Sequence, residues 1–219
     1  MRFFSLSALT CATLLLGGCA TLEQASSSLS CMLARATGSA DASCGDSDSG
    51  DGTLQSAQGD RFDKLQLVLD QEAQRARQTQ EQAVAAMQKL PVNQRAVAGP
   101  VRMLNVTITD SQSGRTRTMQ TLDSITVDMP LAAKGRPEYT QAMDQLKALA
   151  NQLADNRSAA SIIVDQSDAD IKARRVNTAT GTTQSPRGNP VAVRKNASRE
   201  LPAGVERYTI QAGEIRGKL

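Results

Sequence analysis

Residues 61 to 90 contain neither glycine nor proline. They are built mostly from Gln, Ala, Arg, Glu and Leu, which hold a helix at little entropic cost. Asp60 stands where an N-cap belongs, and Pro91 stops the run. The spacing predicts one long helix over 60–90, roughly 45 Å at about 1.5 Å per residue. Its three-four pattern runs Phe62, Leu65, Leu69, Glu72, Ala76, Thr79, Ala83, Ala86 and Leu90. The ends of that stripe are apolar and the centre is polar, which argues against a coiled-coil seam. Two roles stay open: a spacer, or a helix that packs both ends on a domain.

The compact part starts near Gly99. In VRMLNVTIT, residues 101–109, alternation puts Leu104, Val106 and Ile108 on one face of a half-buried strand. DSQSG, residues 110–114, reads as a turn. The polar residues 115–121 read as a return strand at a sheet edge, and Ile125, Val127 and Met129 alternate in a further strand ended by Pro130. Pro137 suits a first helical position. From it Tyr139, Met143, Leu146, Ala150 and Leu153 form an apolar stripe, and SIIV, residues 161–164, has the continuous apolar character of a central strand. Ser167 and Asp170 are placed to cap a short helix reaching about 176. A polar loop follows over 177–190, then short strands at 191–193 and 205–211. The expected fold class is α+β: a flexible leader, a long helix, and a small mixed sheet packed with one or two helices over 99–219. If the strands flanking 123–165 are parallel, their crossover is right-handed.

Composition narrows the chemistry. The chain has no histidine and no tryptophan, two tyrosines and three phenylalanines, with Phe3 and Phe4 near its start. Without histidine, Ser-His and Cys-His catalysis and His-metal sites drop out. No metal or cofactor is expected. Charge is unevenly spread: residues 20–70 hold eight acids and three bases, residues 171–219 ten bases and three acids. That asymmetry reads as an acidic tether and a basic far end. The basic end offers Arg174, Arg175, Arg194 and Lys195 to an anionic partner, the alternative being a solvated face without one. Scarce aromatics disfavour nucleic acid.

The N-terminus places the chain. One charge, Arg2, precedes the mostly apolar residues 3–16, too short to span a bilayer but of signal-peptide length. Leu16-Gly17-Gly18-Cys19 resembles the lipobox of bacterial lipoproteins at all four positions. The resemblance implies that residues 1–18 are a signal peptide, that Cys19 carries thioether-linked lipid, and that two or more acyl chains anchor the protein. Ala20, where such proteins carry Asp for inner-membrane retention, implies the outer membrane and a periplasmic orientation. Residues 19–59 then form the tether. Cys31 and Cys44 make an even pair in an oxidising compartment, either a disulfide closing a loop of 14 residues or two free thiols. DSDSGDG, residues 46–52, fails as a calcium loop: Gly50 and Asp51 stand in reversed order, and Ala57 sits where a bidentate Glu is needed.

Strand, helix, strand, short basic helix, as in ITVDMPLAAKGRPEYTQAMDQLKALANQLADNRSAASIIVDQS, resembles the first half of the OmpA-like peptidoglycan-binding domain. That resemblance, over 125–167, implies a clamp on a peptidoglycan stem by an Asp after the strand and an Arg on the next helix; Asp165 with Arg174 or Arg175 are the nearest matches. The Gly-His-Thr-Asp-like strand end and the Asn and Leu-Ser before the Arg are absent here. Acids of the domain, Asp110, Asp123, Asp128, Glu138 and Asp165, share no motif of paired catalytic carboxylates. The expected function is a non-catalytic, lipid-anchored envelope adaptor or assembly factor. Its expected partners are the membrane through its lipid and an envelope protein or anionic wall polymer. Peptidoglycan binding, and further off a wall-acting enzyme, are the alternatives.

Overall fold

The computed structural model describes residues 57–215. The expected signal segment and nearly all of the expected tether lie outside them, as do Cys19, Cys31, Cys44 and residues 216–219. In chain order the elements are α1 (Ala57–Ala86), a 3-10 turn (Val92–Gln94), β1 (Val97–Thr109), β2 (Thr116–Pro130), a 3-10 turn (Leu131–Ala133), α2 (Pro137–Arg157), β3 (Ala160–Ser167), α3 (Asp168–Lys172), β4 (Gly181–Gln184), β5 (Pro190–Ser198) and β6 (Val205–Ala212). The strands form one sheet in the order β1-β2-β6-β3-β5-β4. β2, β3 and β5 run parallel to one another, and β1, β6 and β4 run against them. The fold class is α+β, as the sequence leads one to expect. None of the described helices is long and apolar enough to cross a membrane.

Helix α1 packs on the domain instead of standing off it. Its first half buries Phe62, Leu65, Val68 and Leu69 against Ile108 of β1 and Met119 of β2. Its second half joins the main core through Ala76 and Ala83, and the turn after Ala86 adds Met87 and Leu90. The polar centre of its stripe faces inward too. Glu72 and Gln80 are buried and partnered, while Thr79 and Ala86 are only half-buried. Met87, not Ala86, makes the inward contact between Ala83 and Leu90.

The main core lies between the helices and one sheet face. Leu122, Ile125, Val127 and Met129 of β2, Ile162 and Val164 of β3 and Ile210 of β6 meet Leu146, Leu149 and Leu153 of α2. Helix α2 starts with proline in its first turn. Residues 115–121 and 123–129, expected as separate strands, are one strand of 15 residues. Its register against β1 shifts between Arg102 and Met103, so the bulge, not a break, accommodates Asp123. Only from Ser124 onward does β2 pair with β6, so its first half is an edge on that side.

Two further expectations change. The stretch 177–190 contains β4, which pairs with β5; all four of its residues, Gly-Thr-Thr-Gln, are exposed, so no alternation marked it. Helix α3 stops at Lys172, because Arg174 takes a left-handed φ of 55°. Strands β2 and β3 are parallel, but β6 lies between them, so α2 crosses over an intervening strand.

Candidate functional site

The parallel strands β2, β3 and β5 end at Pro130, Ser167 and Ser198, on the side where α3 begins. Ligands of open sheets with parallel strands commonly bind outside such carboxyl ends. A cleft of about 820 Å³ opens there, lined among others by Arg95, Pro130, Lys134, Asp170, Arg175 and Gly204.

Asp170 forms its floor and is fully buried. The Ser167-Asp170 pair forms as expected. Ser167 Oγ accepts from the Asp170 N–H at 3.1 Å and donates to Asp170 Oδ2 at 2.6 Å. Gly204 N–H donates to the same Oδ2 at 2.7 Å. Gly204 has a φ of 87°, a region that suits glycine and aims its N–H inward. Asp170 Oδ1 has no hydrogen-bond partner and lies 3.5 Å from Arg175 Nη1. Burial opposes the charge on Asp170, but Ser167, Gly204 and Arg175 together outweigh it and hold its carboxyl below the usual range.

Lys134 links the cleft to a second buried acid, Glu206. Lys134 Nζ lies 2.8 Å from Glu206 Oε2, Tyr208 OH donates to that oxygen at 3.0 Å, and Gln166 Nε2 donates to Oε1 at 2.7 Å. The hydroxyls of Tyr139 and Tyr208 stand 3.2 Å apart. Burial pushes Tyr139 up to about 12, and burial, then Tyr139 and Glu206, push Tyr208 up as well. Lys195 approaches the same cluster. Burial and Lys134 draw its pKa down against the pull of Glu206, and its ammonium donates to the Asn177 carbonyl.

The candidate residues drawn from the sequence are spread over several surfaces. Asp165 sits on the sheet face opposite the helices, in a row with Asp128, Arg207 and Asn196. There Asn196 donates to Asp165 at 3.1 Å, and Arg207 grips Asp128 through two bonds of 2.7 and 2.9 Å. No hydrogen bond or ion pair joins Asp165 to Arg174 or Arg175. Arg174 is exposed beyond α3, and Arg194 is exposed next to Ile163 on the bare face. Only Arg175 lines the cleft. Asp170 was legible as a cap. Lys134 and Glu206 were not, because one lies in an irregular turn and the other reads as an ordinary strand residue.

Both buried acids of this end are matched to a cation, and Ser167 is held as a cap. Those cations are Lys134, on Glu206, and Arg175, beside Asp170, and together with Arg95, whose Nε donates to the Leu90 carbonyl at 2.8 Å, they line the cleft. That arrangement suits recognition of an anionic group more than proton transfer or nucleophilic attack. Among the described residues no group of three or more His, Cys, Asp and Glu is placed to hold a metal ion. Comparison of the chain with protein-family models, curated proteins and solved structures finds no match.

Proposed function

We propose that this protein is a non-catalytic envelope lipoprotein, anchored by lipid on Cys19 in the outer membrane, whose α+β domain serves as an adaptor facing the periplasm. One observation carries the reading of the domain. Three cationic side chains, Arg95, Lys134 and Arg175, line one cleft, and although Lys134 pairs with Glu206 and Arg175 lies beside Asp170, their side chains stay 38 % and 65 % exposed. Such a cleft suits an anionic wall polymer or an acidic surface of an envelope protein.

A second reading, binding of peptidoglycan in the OmpA-like manner, is favoured by a specific feature. The order β2, α2, β3, α3 is that of the resemblance, and an acid and an arginine, Asp170 and Arg175, stand together after β3. The sequence motif suggested Asp165 with Arg174 or Arg175, so the arginine is one of those two and the acid is a different one.

One experiment addresses both. Full-length protein in detergent is mixed with purified peptidoglycan sacculi and pelleted, with wild type compared to Lys134→Ala and Arg175→Ala. Binding lost in both variants, with circular dichroism unchanged, supports the wall-binding reading. Wild type left in the supernatant, but crosslinked to an acidic envelope protein in intact cells, supports the adaptor reading. Neither outcome, or unchanged processing and membrane fractionation of Cys19→Ser, overturns the proposal.

A further inference from the structure

We propose that the protein self-associates as a two-fold dimer through residues 103–109 of β1, two copies of that strand pairing antiparallel to extend the sheet. Among the described residues β1 is an outer strand of the sheet, with β2 as its one neighbour. An open edge presents unpaired N–H and C=O groups, and folded proteins normally guard it with charge, proline, bulges or short length.

Among the described residues the guards on β1 are all in its first half. Pro100 and Arg102 lie there, both register shifts fall between Ala98 and Met103, and Gln80 occupies the Gly99 carbonyl at 3.0 Å. The opposite edge, β4, has only four residues. The free side of the first half of β2 carries Arg117, paired with Asp63, and Asp123, and Gln66 donates to its Gln120 carbonyl at 3.3 Å. Met-Leu-Asn-Val-Thr-Ile-Thr, residues 103–109, has no charge, proline or glycine. That is the composition of a strand competent to pair. Two of the four exposed large apolar side chains among the described residues, Val97 and Leu104, are on β1.

A second copy of the chain fits this edge for two reasons. An uncharged strand meets itself without the like-charge repulsion that a charged edge would bring. Antiparallel pairing about a two-fold near Val106 sets residue 104 against 108 and 105 against 107, so both faces match. The fully buried Ile108 stays on the α1 side in each copy. The arrangement closes on itself, so it stops at two chains. The segment lies at the opposite end of β1 from the cleft, which takes in Val92, Asn93 and Arg95 just ahead of the strand.

The test is sedimentation of the full-length chain in detergent over a range of concentrations, wild type against Asn105→Lys/Thr107→Lys. Both positions are exposed, and in the dimer the lysines face one another. Wild type of dimer mass, with self-association weakened at least about tenfold in the variant, supports the proposal. A single-chain mass for wild type at every concentration overturns it, as does a variant that dimerises like wild type. A strand from a different protein, co-purifying in a one-to-one complex, overturns the choice of occupant. Should the variant fail to fold, hydrogen exchange of wild type decides: amides of 103–109 gain protection as concentration rises, and concentration-independent exchange there overturns the dimer.

Discussion

Glu72 of α1 and Arg157 of α2 form an ion pair whose side chains are 5 % and 3 % exposed, so the long helix is fastened to the domain by two charges out of contact with water. Arg157 also donates to the Leu122 carbonyl at 2.9 Å, the Gly213 carbonyl at 3.3 Å and Thr121 Oγ1 at 2.7 Å, and Asn156 donates to Glu72 at 3.3 Å. Desolvating two charges is costly, and these neighbours are what make the pair tolerable.

The first prediction follows from that asymmetry. Removing one partner strands the other, so Glu72→Met and Arg157→Met are each expected to destabilise the fold by about 3–5 kcal/mol. The double variant Glu72→Met/Arg157→Met is expected to be less damaged than the sum of the two. Urea unfolding of the four proteins gives the coupling directly. Strict additivity would show that the pair contributes nothing as a pair.

Asp170 predicts an acid limb. Its folded pKa lies below the ordinary 3.8, so ionised Asp170 stabilises the fold fully above that value. The contribution is lost as pH falls from 3.8 through the folded pKa, because the unfolded chain takes up the proton first. Asp170→Asn should be less stable near neutral pH by about 1–3 kcal/mol. It should also show a shallower loss of stability in acid. Denaturant midpoints measured from neutral pH downward test this, and parallel curves for the two proteins would refute it.

The tyrosine pair predicts the alkaline limb with the opposite sign. Tyr139, raised to about 12 from 10.0, and Tyr208, raised further, keep their protons in the folded state after unfolded tyrosine has lost them. Stability is therefore present below pH 10 and declines as pH rises above it. Tyr139→Phe keeps the ring and should flatten that decline, read from thermal midpoints across the alkaline range.

What the sequence disclosed was what periodicity encodes. The apolar stripe of α2, the buried SIIV of β3 and the Ser167 cap are local patterns, and they sit where spacing puts them. The centre of α1 was legible as polar but not as buried, because Glu72 and Gln80 find partners far along the chain. The cleft was legible in part. Arg175 belongs to the basic stretch, yet Arg95 and Lys134 join it only because β1, β2, β6 and β3 are consecutive neighbours in the sheet. Asp165 and Arg174, close in sequence, separate because Asp165 points to the bare sheet face and the chain turns left-handed at Arg174.

Gln80 predicts how the helix and the bulge depend on each other. Its Nε2 donates to the Thr126 carbonyl at 2.7 Å and to the Gly99 carbonyl at 3.0 Å, where β1 and β2 slip register between Ala98 and Val101. A slip takes carbonyls out of the ladder, and a buried carbonyl without a donor costs about 1–3 kcal/mol. Gln80→Leu fills similar space without a donor, so it is expected to lose about that much or somewhat more, since two acceptors share the one amide. Gln80→Glu should be worse at neutral pH, because a carboxylate turned toward two carbonyl oxygens can only repel them or stay protonated. Protonation restores a donor, so Gln80→Glu should recover relative to Gln80→Leu as the pH is lowered through the carboxyl range. Urea unfolding of both variants at neutral and mildly acid pH separates the two effects. A Gln80→Glu protein whose deficit does not shrink in acid would mean that the carbonyls at the slip are satisfied without residue 80.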